Sequence, residues 1–138
     1  MINIEKMKTI KFSIPLYHVD VQIIQLEGKK DKKRLTELFK KSEIEDAEAI
    51  ENIDKQYVDG GYTYRNFGKN DIAIVLYPFT NKESKTSVYF HEKRHVEDRV
   101  LEHCSVNDIE ASAYLAGFLA IKFMELYEKV KVCKNPYK

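Results

Sequence analysis

Residues 72–77 read Ile-Ala-Ile-Val-Leu-Tyr, six apolar positions in a row with no polar alternation. A strand with one wet face alternates apolar and polar residues; this run does not, and its length is that of a strand rather than a helix. It suits the middle of a sheet, so the chain must build a sheet around it. Pro78 closes the run, because proline has no N–H to give a ladder. Two turn signals precede it, Asp59-Gly60-Gly61 and Gly68-Lys69-Asn70-Asp71. Between them Tyr62 to Phe67 reads as a short alternating strand. Upstream, 7–14 is a strand ended by Pro15, and 19–27 is a second one closed by Gly28.

Between the two pairs of strands the charge switches sign. Residues 29–41 carry seven positive and two negative charges, and 42–54 carry six negative charges and no positive one. Both stretches have helical spacing: Leu35, Leu38 and Phe39 in the first, Ile44, Ala47, Ile50 and Ile53 in the second. The basic run reads as a phosphate-binding patch or as one of two surface helices whose charges offset each other. The second reading is favoured, because a nucleic-acid patch gains nothing from an acidic neighbour.

After Pro78 the chain is helical. Residues 81–104 contain no glycine or proline and open on the candidate caps Thr80, Asn81 and Ser84. A break at 105–108 separates them from a long, mostly apolar helix from Ile109, in which Tyr114, Phe118 and Ile121 form a candidate core stripe. At 138 residues, 43% hydrophobic and 33% charged, with no internal repeat or linker, the chain suits one α+β domain over 1–138. Its β/α part spans about 1–80 and its helical part about 81–132. The expected architecture is a small, mostly antiparallel sheet packed against the two helices. A net charge of +1 gives no global pull toward nucleic acid or anionic lipid. No apolar run is long enough to span a bilayer, and no signal peptide is evident. Two cysteines, Cys104 and Cys133, form no metal or disulfide framework, so a cytoplasmic location is expected.

The first of these helices contains His91-Glu92-Lys93-Arg94-His95, an HExxH pattern. At about 100° per residue, with His91 at zero, His95 falls near 40° and Glu92 near 100°. The imidazoles share a face one turn apart and can bind one cation, while Glu92 stands beside that face without being a ligand. Zinc hydrolases need this arrangement: neutral nitrogen donors, and a carboxylate that takes a proton from water. Lys93 and Arg94 fall near 200° and 300°, away from the metal face and on its flank.

A catalytic zinc site wants a third protein ligand. Asp98 lies near −20° on the same helix, and Glu110 lies early in the next, among small residues that permit close helix approach. Each of these residues also has a plainer reading. His91 and His95 can be surface histidines of a charged helix, Asp98 a salt-bridge partner, and His103 a partner for helix C-terminal carbonyls. Asn107-x-x-Glu110 is also a capping-box pattern.

HExxH followed about 15 residues later by "DIEASAYLAGFLA" resembles the zincin metallopeptidases of the gluzincin type. It is most similar to the small ImmA/IrrE-like and phage-borne peptidase groups, over roughly residues 70–125. The resemblance implies zinc held by His91, His95 and Glu110, with Glu92 as general base and Asp98 suited to an outer role on a ligand imidazole. The expected function is zinc-dependent hydrolysis of a peptide or protein substrate. The alternatives are a non-enzymatic interaction module on a degenerate zincin fold, and a nucleic-acid-associated protein using residues 29–41. Zincin helices usually carry uncharged residues between the histidines; Lys93 and Arg94 depart from that and imply a more exposed site.

Overall fold

The computed structural model describes residues 7–42, 48–67, 70–103 and 108–138. The elements are β1 (Lys8–Ile14), β2 (Val19–Gln25), α1 (Asp31–Lys41), α2 (Glu48–Asp54), β3 (Gly61–Phe67), β4 (Asn70–Leu76), α3 (Lys82–His103) and α4 (Ile109–Tyr127). The sheet order is β1-β2-β4-β3. β1 pairs antiparallel with β2, and β3 antiparallel with β4, but β2 and β4 run parallel, with Ile23 opposite Ile74. The α+β class stands, and the sheet is mixed.

The apolar run sits on β4, inside the sheet, and its alternate residues face two different helical layers. Ile72, Ile74 and Leu76 pack with Val21 and Ile23 against Tyr89, Val96 and Val100 of α3 and Leu115, Leu119 and Phe123 of α4. Ala73, Val75 and Tyr77 pack with Ile24 against Leu35 and Phe39 of α1 and Ala49 and Ile53 of α2. A helical layer on each face explains why this strand has no polar alternation.

The two charged stretches form α1 and α2, joined by a Lys32–Asp54 ion pair, while Arg34 pairs with Asp31 at 2.9 Å. These partners offset part of the basic charge, as expected of two surface helices. Ile44, Ala47, Cys104, Asn107, the Gly68-Lys69 part of its turn and most of the 105–108 break lie outside the described residues, as does the His103 side chain.

α4 differs from expectation in its phase. Its buried face is Leu115, Leu119, Phe123 and Leu126, whereas Tyr114 and Ile121 are exposed and Phe118 is half-buried against Phe12. Apolar residues surround this helix, so periodicity alone leaves its rotation open. No helix among the described residues is long and apolar enough to cross a membrane.

Two buried polar contacts hold α3 in place. The Tyr89 hydroxyl donates to Gln25 Oε1 (2.9 Å), and Gln25 Nε2 donates to the carbonyls of Leu26 (2.8 Å) and Tyr77 (3.1 Å). Burial, with the Glu27 carboxylate as a second cause, pushes the Tyr89 phenol above the ordinary tyrosine range, which keeps it a donor. Lys85 donates to the Val130 carbonyl (2.6 Å) and lies 3.8 Å over the Tyr127 ring, tying α3 to the end of α4. Tyr89→Phe leaves the Gln25 oxygen buried without its donor, so urea unfolding should show a loss of about 1–3 kcal/mol.

Candidate metal centre

α3 begins where its sequence supplies a cap: Asn81 Oδ1 accepts the Ser84 N–H at 2.8 Å. Its buried stripe is Lys85, Tyr89, Glu92, Val96 and Val100, the face turned to the sheet. His91 and His95 lie off this stripe and are exposed. Their rings meet nearly edge to face, with centroids 4.5 Å apart, and their Nε2 atoms are 2.9 Å apart.

That convergence can be tested against zinc. Two nitrogens at about 2.0–2.1 Å from a tetrahedral ion are about 3.3 Å apart. The observed 2.9 Å is a few tenths of an ångström short of this, within reach of small side-chain rotations. As they stand the two nitrogens share an N–H···N hydrogen bond; both are of a type zinc accepts, so with those rotations the pair fits two positions of a zinc site.

Glu92 is only 6% exposed. Its Oε2 accepts the Thr63 hydroxyl of β3 at 2.9 Å. Its Oε1 lies beside Gly61, where an added Cβ would stand 3.4 Å from that oxygen and 2.9 Å from Leu76 Cδ2. β3 is an edge strand, and its alternation turns Gly61 and Thr63 toward α3 while Tyr62 and Tyr64 pack on the α1 and α2 side. A cavity of about 300 Å³ opens beside His95, lined by Thr63, His95, Asp98, Arg99 and Glu102.

The two residues that depart from the zincin pattern each have a carboxylate one turn on. Lys93 Nζ pairs with Glu97 at 2.8 Å, both largely buried, and Arg94 Nε pairs with Asp98 at 3.1 Å, both exposed. Asp98 thus holds Arg94 and also lines the cavity beside His95.

Glu110 stands exposed in the first turn of α4. Asp108 is the N-cap, its Oδ1 accepting the Glu110 backbone N–H at 2.8 Å, which makes Glu110 the second residue of the helix rather than the third. The capping box counted from Asn107 therefore gives way to a cap one residue later. Among the described residues no three His, Cys, Asp or Glu side chains gather for a metal, so neither Glu110 nor Asp98 stands with the imidazoles as a third donor.

The structure thus brings His91 and His95 together, and turns Glu92, which lies between them in sequence, toward Thr63 and Gly61 of β3. Neither Thr63 nor Gly61 belongs to a chemical motif; they become visible only through the β3–β4 pairing and the docking of α3. No family model, curated protein or solved structure matches the chain.

The His pair makes a direct prediction. Cobalt or zinc titration near neutral pH should show one site per chain. His91→Ala or His95→Ala should each weaken it by at least the roughly 10–100-fold that loss of an outer partner costs.

Proposed function

We propose that the chain is a zinc-dependent metallopeptidase of the zincin type, hydrolysing peptide bonds in a peptide or protein substrate. The observation that carries this reading is the convergence of the His91 and His95 Nε2 atoms at 2.9 Å, one residue from a buried Glu92. His91 and His95 hold the ion. Glu110, the third ligand that the zincin resemblance implies, does not stand with the imidazoles among the described residues, so this reading rests on the pair itself. Bound zinc supplies Lewis-acid chemistry, lowering the pKa of water to about 7 and polarising a carbonyl.

The chain's own residues do the rest. Glu92 accepts a proton from the attacking water on its carboxylate and returns it to the leaving amine. The outer edge of β3 offers backbone N–H and C=O groups to an extended peptide by strand addition. The cavity beside His95 has room for a substrate side chain. A reducing, cytoplasmic setting suits the exposed free thiol of Cys133.

A second reading, an interaction module with an idle site, is favoured by one observation: no third donor stands with the pair among the described residues. Glu92→Gln separates the two. In the peptidase it should retain zinc, measured by metal analysis, and lose turnover of labelled casein by about 100-fold or more. A wild-type protein that neither copurifies with zinc nor takes it up at neutral pH would sink the peptidase reading and leave the module.

A further inference from the structure

The general base is held by a different element from the one that carries it. Glu92 belongs to α3, but its carboxylate lies against β3: Thr63 donates to Oε2 at 2.9 Å, and Oε1 lies beside Gly61. The two β3 residues are two apart in sequence, so the strand's own alternation puts both on the face toward α3. Leu76, paired with Gly61 across β4, closes the space from behind and leaves room for no Cβ without shifting.

Resting on the peptidase reading above, we propose that Thr63 is the positioning residue of the site. Its hydroxyl fixes the Glu92 carboxylate by holding Oε2 at 2.9 Å. A buried glutamate side chain has three rotatable bonds and swings its oxygens by more than an ångström between rotamers. A misplacement of that size at a reacting group costs about 100-fold in rate. One charge-assisted hydrogen bond from a β-branched side chain, stiff at χ1, removes much of that freedom.

Thr63 has a second contact that gives this role a consequence. Its side chain also lines the cavity shared with His95, Asp98, Arg99 and Glu102. The residue is therefore a wall between the space for substrate and the base. Its strand is also the sheet edge available to an extended peptide. A peptide added to β3 would stiffen the strand that aims Glu92, so binding and alignment of the base are coupled through one backbone segment.

The test compares Thr63→Val, which keeps the shape and removes the hydroxyl, with Thr63→Ser, which keeps the hydroxyl. On a quenched fluorescent peptide chosen from a library, Thr63→Val should lower kcat about tenfold or more, leave KM within about twofold and leave zinc content unchanged. Thr63→Ser should return kcat to within about threefold of wild type. A readout independent of turnover is a urea-unfolding cycle of Thr63→Val with Glu92→Gln on the metal-free protein, which should be non-additive. Wild-type kcat in Thr63→Val, a loss that Thr63→Ser does not restore, or an additive cycle overturns the role of Thr63 while the peptidase stands. A wild-type protein that takes up no zinc sinks the peptidase reading, and the catalytic role of Thr63 with it.

Discussion

Everything in this fold depends on burying β4 on both faces. Ile72, Ile74 and Leu76 on one side, and Ala73 and Val75 on the other, are almost fully shielded from water. Each large side chain removed from water contributes about 1.5–3 kcal/mol. A strand of this composition is stable only between two strands and two helical layers. β2 supplies the parallel neighbour and β3 the antiparallel one, α3 and α4 cover one face, and α1 and α2 the other. With β4 inside, β3 is left at the edge, and the candidate site is built against that edge.

The same burial sets the rotation of α3, and through it the exposure of the site. The helix must turn Tyr89, Val96 and Val100 to the sheet, which places the centre of its buried face well over 90° from His91. Glu92, about 100° from His91, falls on the margin of that face and is carried inward to β3. The imidazoles stay at the rim. A buried carboxylate is costly unless its oxygens are matched, and Thr63 supplies a match at 2.9 Å. Packing, rather than the motif, decides that Glu92 is enclosed while the two imidazoles are open.

Much of this could be read from the sequence, for reasons that differ between elements. β4 was legible because its apolar run is compatible with one environment only. The 59–61 turn and the α3 cap at Asn81 were legible because their residue types act locally. The HExxH geometry followed from helical spacing alone, and the imidazoles meet as that spacing requires. The parallel pairing of β2 with β4 was not legible, because no local signal distinguishes a strand's direction from its composition. Nor was the phase of α4: Tyr114, Phe118 and Ile121 are as apolar as Leu115, Leu119 and Phe123, and only the shape of the sheet face chooses between them. Thr63 had no chemical signature, since a threonine in an alternating strand is ordinary until the helix that lies on it is known.

Lys93 and Arg94, the residues least expected beside a cation site, are accommodated by the four residues that follow them. Lys93 is drawn to Glu97 on the buried side, and Arg94 to Asp98 on the exposed side, each one turn along the helix. Within 93–98 the two cations and two carboxylates offset each other, so an approaching divalent ion meets no excess positive charge from this segment. The i to i+4 direction also draws both cationic groups along α3 to their carboxylates. What departs from the zincin pattern inside the motif is balanced by Glu97 and Asp98 just beyond it. That balance lets α3 carry lysine and arginine between two convergent histidines without a surplus of positive charge beside them.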